Sequence, residues 1–497
     1  MAKIHNELDS HLYKYSRLLD VHRVSDYPGA TRAISEVFEE VKVHVHSRGG
    51  RAKHPGRLRK HLSIVMLDLY LATHQYPSIY RSVSRSRKDY APESRNNRIH
   101  LSYRLMVRVL DALVDLKYIY ETKGFGKNRN DEKSRGFVTR ICATEKLVAV
   151  MNKHGMNQMF VSRWPSEMIE LRDAQKQPVP FEETEDTQRM RKNIERINHA
   201  LKRALVELYI PDKGFRELHN RLARDFEREP LDLNNKFLVR IFNGSFDNGG
   251  RFFGGFWQTI PREFRKYVEI NHKVTVEIDY SGMHVRMLYA MKGLQCSDDP
   301  YDLKQFDREH QKVAMQCLLN AESQNSARRA VSSKRIPSAR ALLDALQERH
   351  DAIQEYFCTG VGLQLMRIES DIAEEVMLRT IELGGICLPV HDSFLVVVSR
   401  ENELRACMEE AFQKRFPIAY QVPTKTKKTL LQIESETRDH RNVEGHIQFV
   451  TDDLEQLMGG YESYYQRLTE RKVELDAIRE QELIINDGFK EVEMYIR

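Results

Sequence analysis

Two short stretches limit what this chain can become. Residues 276 to 285 read VEIDYSGMHV, an apolar and largely β-branched run that delivers Asp279 into a turn just before an amphipathic segment begins. Residues 386 to 398 read ICLPVHDSFLVVV, two apolar runs around His391, Asp392 and Ser393, which is the pattern of a tight hairpin with a carboxylate at its tip. A charge that ends a core strand is costly unless a cation, a cluster of donors or a ligand faces it. The expectation is a cleft at which two neighbouring strands each present an aspartate.

The length of 497 residues implies two to four domains, and 41% hydrophobic with 30% charged residues is the balance of a soluble globular protein. No apolar run approaches a membrane span, and the opening MAKIHNELDS lacks the apolar core of a signal peptide. Six cysteines (142, 296, 317, 358, 387 and 407) are scattered without CxxC pairs, which argues against a disulfide framework or a cysteine-rich zinc site and fits a cytoplasmic setting.

The formal net charge of +6 is unevenly placed. Residues 51 to 150 hold 21 Lys and Arg against 9 Asp and Glu, a net of +12, so the rest of the chain is acidic. A polyanion, with nucleic acid first, is the expected partner of the basic part. Within it, residues 58 to 74 have helical periodicity, an Arg- and Ser-rich connector follows, and Ser102 is placed to cap a helix whose Leu105, Val109, Ala112, Leu113 and Leu116 share a face. Two short alternating runs, 118 to 123 and 136 to 142, then flank a polar, Gly-containing loop. Helix, connector, helix and hairpin in this order resemble a winged helix-turn-helix over residues 51 to 160, preceded by an N-terminal helical segment over 1 to 50. That resemblance puts Arg104 and Arg108 on the helix that meets DNA, and Lys127, Arg129, Lys133 and Arg135 on a wing that touches phosphates.

Further along, 161 to 240 reads as a linker and a helical, thumb-like connection, 241 to 450 as the strand-containing part, and 451 to 497 as a charged helical segment suited to packing or self-association. In the third of these parts, DYSGMHVRMLYA at 279 to 290 resembles the metal-binding palm motif of family-A DNA polymerases. VHDSFLV at 390 to 396 resembles the second palm motif of that family and of the related single-subunit phage RNA polymerases. GGRFFGGFWQTIPREFRKYVEI resembles the segment ahead of the first motif, and REHQKVAMQCLLN resembles the fingers helix that binds the triphosphate.

The resemblance implies an α+β protein: a winged helix-turn-helix domain joined to a polymerase-type palm with reduced fingers and C-terminal helices. It implies that Asp279 and Asp392, with the Tyr280 backbone, hold two Mg²⁺ (or Mn²⁺) ions. Two such ions, about 3.5 to 4 Å apart, best neutralise the charge of a 3′-hydroxyl attacking an α-phosphate, and Mg²⁺ is content with one or two carboxylates plus substrate oxygens. Arg308 and Lys312, at i and i+4, would hold the β and γ phosphates of a dNTP or NTP, with Gln316, Asn320 and His284 beside them. Arg251, Gln258, Arg286 and His391 would meet the DNA template and primer.

Departures from the family pattern matter. Asn320-Ala321 stands where the family has Tyr-Gly, and His284 stands where its DNA polymerases have a Glu that helps exclude a 2′-hydroxyl. The expected function is template-directed nucleotidyl transfer, as the DNA polymerase of a mobile element, plasmid or phage-like replicon. An RNA-synthesising polymerase or primase remains open, as does a DNA-binding replication or regulatory factor with a silent palm.

Overall fold

A computed structural model describes residues 16–48, 55–75, 80–91, 99–124, 138–157, 160–165, 167–210, 214, 217–218, 221–222, 231–296, 298–417 and 423–427. The wing residues Lys127, Arg129, Lys133 and Arg135, and the segment 451–497 with its expected self-association, lie outside the described residues. The architecture is mixed α and β, with two separate apolar cores, one drawn from Leu19 to Val161 and the other from Met168 to Phe416.

The first core is built by β1 (Arg17–Leu18), α1 (Pro28–Ser47), α2 (Pro55–Gln75), β2 (Arg81–Val83), α3 (Tyr103–Asp115), β3 (Ile119–Thr122), β4 (Thr139–Ala143) and α4 (Glu145–Lys153). Met106, Val109, Leu110 and Leu113 of α3 recur at helical spacing and are buried, which sets the face that this helix turns inward. The sheet order is β1-β2-β4-β3, with β2, β4 and β3 antiparallel to one another. Because α1 packs into this core, the unit begins well before residue 51. Part of the basic excess is spent inside it: the fully buried Asp68 of α2 accepts from Arg81 at 2.9 Å, and Arg85 donates to Asp111 at 2.8 Å. Arg104 and Arg108, by contrast, are exposed on α3.

The second core takes in much of what reads in sequence as a linker. β5 (Ile169–Arg172), β6 (Pro178–Val179), α5 (Glu185–Arg203) and β7 (Val206–Leu208) all belong to it, and β5 runs parallel to β8 (Val239–Asn243). β9 (Ser245–Phe253) returns along β8 through an irregular register in which Gly249 and Gly250 have φ of 79° and 78°. A Cβ on Gly250 would lie 2.6 Å from the Phe242 ring, so only glycine fits that bulge.

The larger sheet is β12-β13-β11-β10-β7, formed by β10 (Val268–Ile270), β11 (Lys273–Tyr280), β12 (Leu388–Val390) and β13 (Ser393–Val397) with β7. After β11 come α6 (Met283–Met291), α7 (Arg308–Asn320), α8 (Gln324–Ser333), α9 (Ala339–Arg349) and α10 (Gly362–Glu382). After β13 come α11 (Glu401–Arg415) and β14 (Thr424–Thr426), and β14 pairs antiparallel with the end of β11. Alternation along β11 sends Val276, Ile278 and Tyr280 into the core, where the Tyr280 hydroxyl donates to the Met408 carbonyl of α11. Thr275, Glu277 and Asp279 take the other face. No helix among the described residues is long and apolar enough to cross a membrane.

Candidate active site at the paired aspartates

The β12–β13 connection is a two-residue turn, with His391 at φ 60° and Asp392 after it. Asp279 lies opposite Ser393, and the Tyr280 N–H donates to the Asp392 carbonyl at 3.3 Å, so the ends of β11 and of the hairpin are side by side. Gly282, at φ 63°, turns the chain from β11 into α6; a Cβ there would meet Pro300 at 2.6 Å. Together these local features put the two aspartates at neighbouring strand ends of the sheet.

Their electrostatics are those of charges wanting a counter-ion. Burial, then the nearby charges of Glu369 and Asp279, push the Asp392 carboxyl up to about 7. Burial also raises Asp279, helped by Glu277 and opposed by Lys427, Arg262 and Lys312. Lys312 of α7 is near enough to act on Asp279, while its ammonium donates to Glu309 of its own helix at 2.5 Å. Arg308, one turn earlier, is turned back to Asp299, donating at 2.9 and 3.2 Å, and lies over the Tyr301 ring. Gln316 and Asn320 are exposed, with the Asn320 amide donating to the Gln316 carbonyl at 2.8 Å.

Glu369 of α10 is the organiser that local sequence reading passed over. Its carboxylate is 2% exposed and accepts from Arg251 Nε at 2.7 Å and from His284 Nε2 at 2.7 Å. Burial pushes this carboxyl up, but the His284 and Arg251 partners overcome it and hold it at about 2. His284 is thus tied to α10, and Arg251, aimed by the glycine bulge, shares the same carboxylate. Arg286 is buried and donates to the carbonyls of Ser281, Cys296 and Asp298, a clamp on the loop after α6.

Gln258 and His391 differ from these. The Gln258 amide and the Trp257 indole both donate to the Pro389 carbonyl at 3.0 Å, which fixes the segment ahead of β10 against the hairpin. Gln258 Oε1 and His391 Nδ1 are buried polar atoms with no partner among the described residues. His391 directly precedes Asp392 in the turn, so its orphaned ring nitrogen lies next to the acid pair.

Glu277 and Lys427 also escaped the sequence reading. Glu277 accepts from Ser393 at 2.7 Å, Arg265 at 3.2 Å and Lys427, whose ammonium is 3.8 Å from Asp279. A signal for Glu277 was present: it lies two residues before Asp279, on the same strand face, in an otherwise apolar run. Nothing local marks Lys427.

Among the described residues no group of three or more His, Cys, Asp and Glu side chains is set to hold a metal ion. The pair Asp279 and Asp392 nevertheless suits Mg²⁺, which takes one or two protein carboxylates and completes its octahedron with water and phosphate oxygens. Burial first, and then the neighbouring carboxylates, raise Asp392, so a cation bound here would favour its ionised form.

No protein-family model and no curated protein matches the chain. Among solved structures, it overlaps the POL domain of Pol1 from M. smegmatis, a complex with DNA primer-template and dNTP. That overlap has 11% identity and a TM-score of 0.25 over 84% of this chain and 68% of the other. Values this low carry no argument, and the functional reading rests on the acid pair and its surroundings.

Proposed function

We propose that the chain is a template-directed nucleotidyltransferase, a DNA polymerase serving a mobile element, plasmid or phage-like replicon. The observation that carries this reading is the meeting of Asp279 and Asp392 at neighbouring strand ends, with Lys312 close enough to act on Asp279. Asp279, Asp392 and the Tyr280 backbone would hold the divalent ions, whose contribution when bound is to neutralise charge on the transferring phosphate. Lys312 would meet the triphosphate of the incoming nucleotide. Arg308 would join it by releasing Asp299, an exchange between exposed groups that costs little. His391 and Gln258, with unmet hydrogen bonds, would position the primer end.

The N-terminal unit would be a winged helix that brings this site to DNA. The antiparallel order β2-β4-β3 and the exposed Arg104 and Arg108 of α3 support that reading. A second reading, RNA synthesis or priming, is favoured by one observation: His284 is held by Glu369 where the resemblance would put a sugar-excluding carboxylate.

The test is extension of a primed template by the full chain, with Mg²⁺ or Mn²⁺ and labelled dNTPs or NTPs in parallel. Extension with one set assigns the product, and loss of at least about a thousandfold in Asp279→Asn and Asp392→Asn assigns the site. Wild-type rates in either variant, or no extension with either set, would overturn the reading and favour a DNA-binding factor.

A further inference from the structure

The face of β11 that carries Asp279 leads into a cavity of about 370 Å³. Arg262, Arg265, Lys266 and Lys427 line it, around Glu277, and Thr275 and Leu395 contribute to its wall. Leu395 lies directly across the strands from Glu277, so the cavity occupies the sheet face itself. Two residues of strand separate Glu277 from Asp279, a distance of about 7 Å. The cavity is therefore about one nucleotide's reach from the acid pair.

Its charge is unbalanced. Arg265 and Lys427 both pair with Glu277, and Glu263, which also lines the cavity, is taken by Arg221. Arg262 and Lys266, which line the cavity, make no ion pair among the described residues. Four cations against two carboxylates leave a surplus that suits a phosphate, and guanidinium and ammonium groups are the usual phosphate partners. None of Arg251, Gln258, Arg286 and His391 lines this cavity. Lys312, to which the proposed function gives the incoming triphosphate, does not line it either.

We propose that the cavity receives the phosphate attached to the nucleotide that brings the attacking 3′-hydroxyl. That group is either the last backbone linkage of a primer or the 5′-triphosphate of an initiating nucleotide. The proposal rests on the nucleotidyl-transfer reading of Asp279 and Asp392. In it, Glu277 is a positioning residue: it holds Arg265 and Lys427 at the wall, with the Lys427 ammonium 3.8 Å from Asp279.

The experiment compares full-length wild type with Arg262→Ala, Lys266→Ala and the double variant. On a primed template, the KM for primer rises about tenfold for each lost cation, kcat falls far less, and the KM for incoming dNTP stays within about twofold. A neutral methylphosphonate at the last primer linkage weakens wild type by a similar factor and leaves the double variant unaffected, which assigns the primer backbone as the source. On an unprimed template, a variant defect with a 5′-triphosphate first nucleotide that vanishes with a 5′-hydroxyl nucleoside assigns the initiating nucleotide instead. A rise in the KM for dNTP alone, or no change in any arm, overturns the subsite. Should wild type transfer no nucleotide, the acid-pair reading fails. The cavity is then judged by fluorescence anisotropy with the same charged and neutral duplexes: equal affinity overturns it, and a preference for the charged duplex that the double variant loses sustains phosphate binding.

Discussion

At the scale of single residues, Asp392 makes the clearest demand. Its carboxyl is pushed up to about 7 from the ordinary 3.8, first by burial and then by Glu369 and Asp279, so the folded chain holds that proton more tightly than the unfolded chain does. Its contribution to stability is therefore complete below about pH 4 and is lost as pH rises through about 7. In metal-free buffer, Asp392→Asn should melt above wild type, by a margin that grows between about pH 5 and about pH 8. Calorimetry at the two pH values checks this, and a margin that shrinks would contradict it. His284 makes a different demand, since Glu369 accepts from it at 2.7 Å. A family-like His284→Glu would set a second carboxylate against a buried one and cost about 3 kcal/mol in denaturant unfolding. Pairing it with Glu369→Gln should recover most of that loss, because the new amide can donate to the new carboxylate. The ratio of kcat/KM for dNTP and NTP is then measured in the double variant, where a shift toward dNTP marks residue 284 as facing the sugar.

At the scale of elements, β8, β9 and α10 are bolted together by one side chain. Arg240 is fully buried and donates to the Gly250 carbonyl at 2.8 Å, Glu374 at 2.8 Å, Ser370 at 2.6 Å and Asp371 at 2.9 Å. Removing it leaves the buried Glu374 with only Asn193 at 2.8 Å and the exposed Arg189 at 3.3 Å, so Arg240→Leu should lower the unfolding free energy by about 3 kcal/mol. Adding Glu374→Gln should return a large part of that, which a denaturant titration of both variants will show. Long-range partnerships of this kind are what sequence does not display. The strand ending on Asp279, the hairpin at His391-Asp392 and the helix at 308–320 were legible, because each announces itself by local periodicity and a turn signal. That Arg308 turns to Asp299, that His284 and Arg251 share Glu369, and that Lys427 reaches Glu277 depend on chain segments meeting in space, and no local pattern records such meetings. Glu277 lies between these cases. Its parity with Asp279 could be read from the strand, but its three partners could not.

At the scale of the whole molecule, a basic unit and an acid-bearing unit are carried by one chain, and the charge of the first is partly committed within its own core. Arg81 and Arg85 serve Asp68 and Asp111, so on the proposed winged-helix reading DNA contact would fall to exposed cations such as Arg104 and Arg108. Replacing both with Ala in the full chain should weaken duplex binding and flatten the slope of log K against log salt by about 2, one counterion-release step of about 0.9 for each phosphate contact. An unchanged slope would separate α3 from the DNA. The sheet of the second unit has its own long-distance dependence, because Glu277 and Lys427 are 150 positions apart. During synthesis, β11 emerges from the ribosome with Asp279 long before β14 exists to cover its edge. Until residue 427 has been delivered, that strand exposes unpaired N–H and C=O groups beside two carboxylates that lack their lysine. A message cut short between α11 and β14 would accordingly yield a sticky, chaperone-bound product with an open strand edge rather than a slightly shorter folded chain.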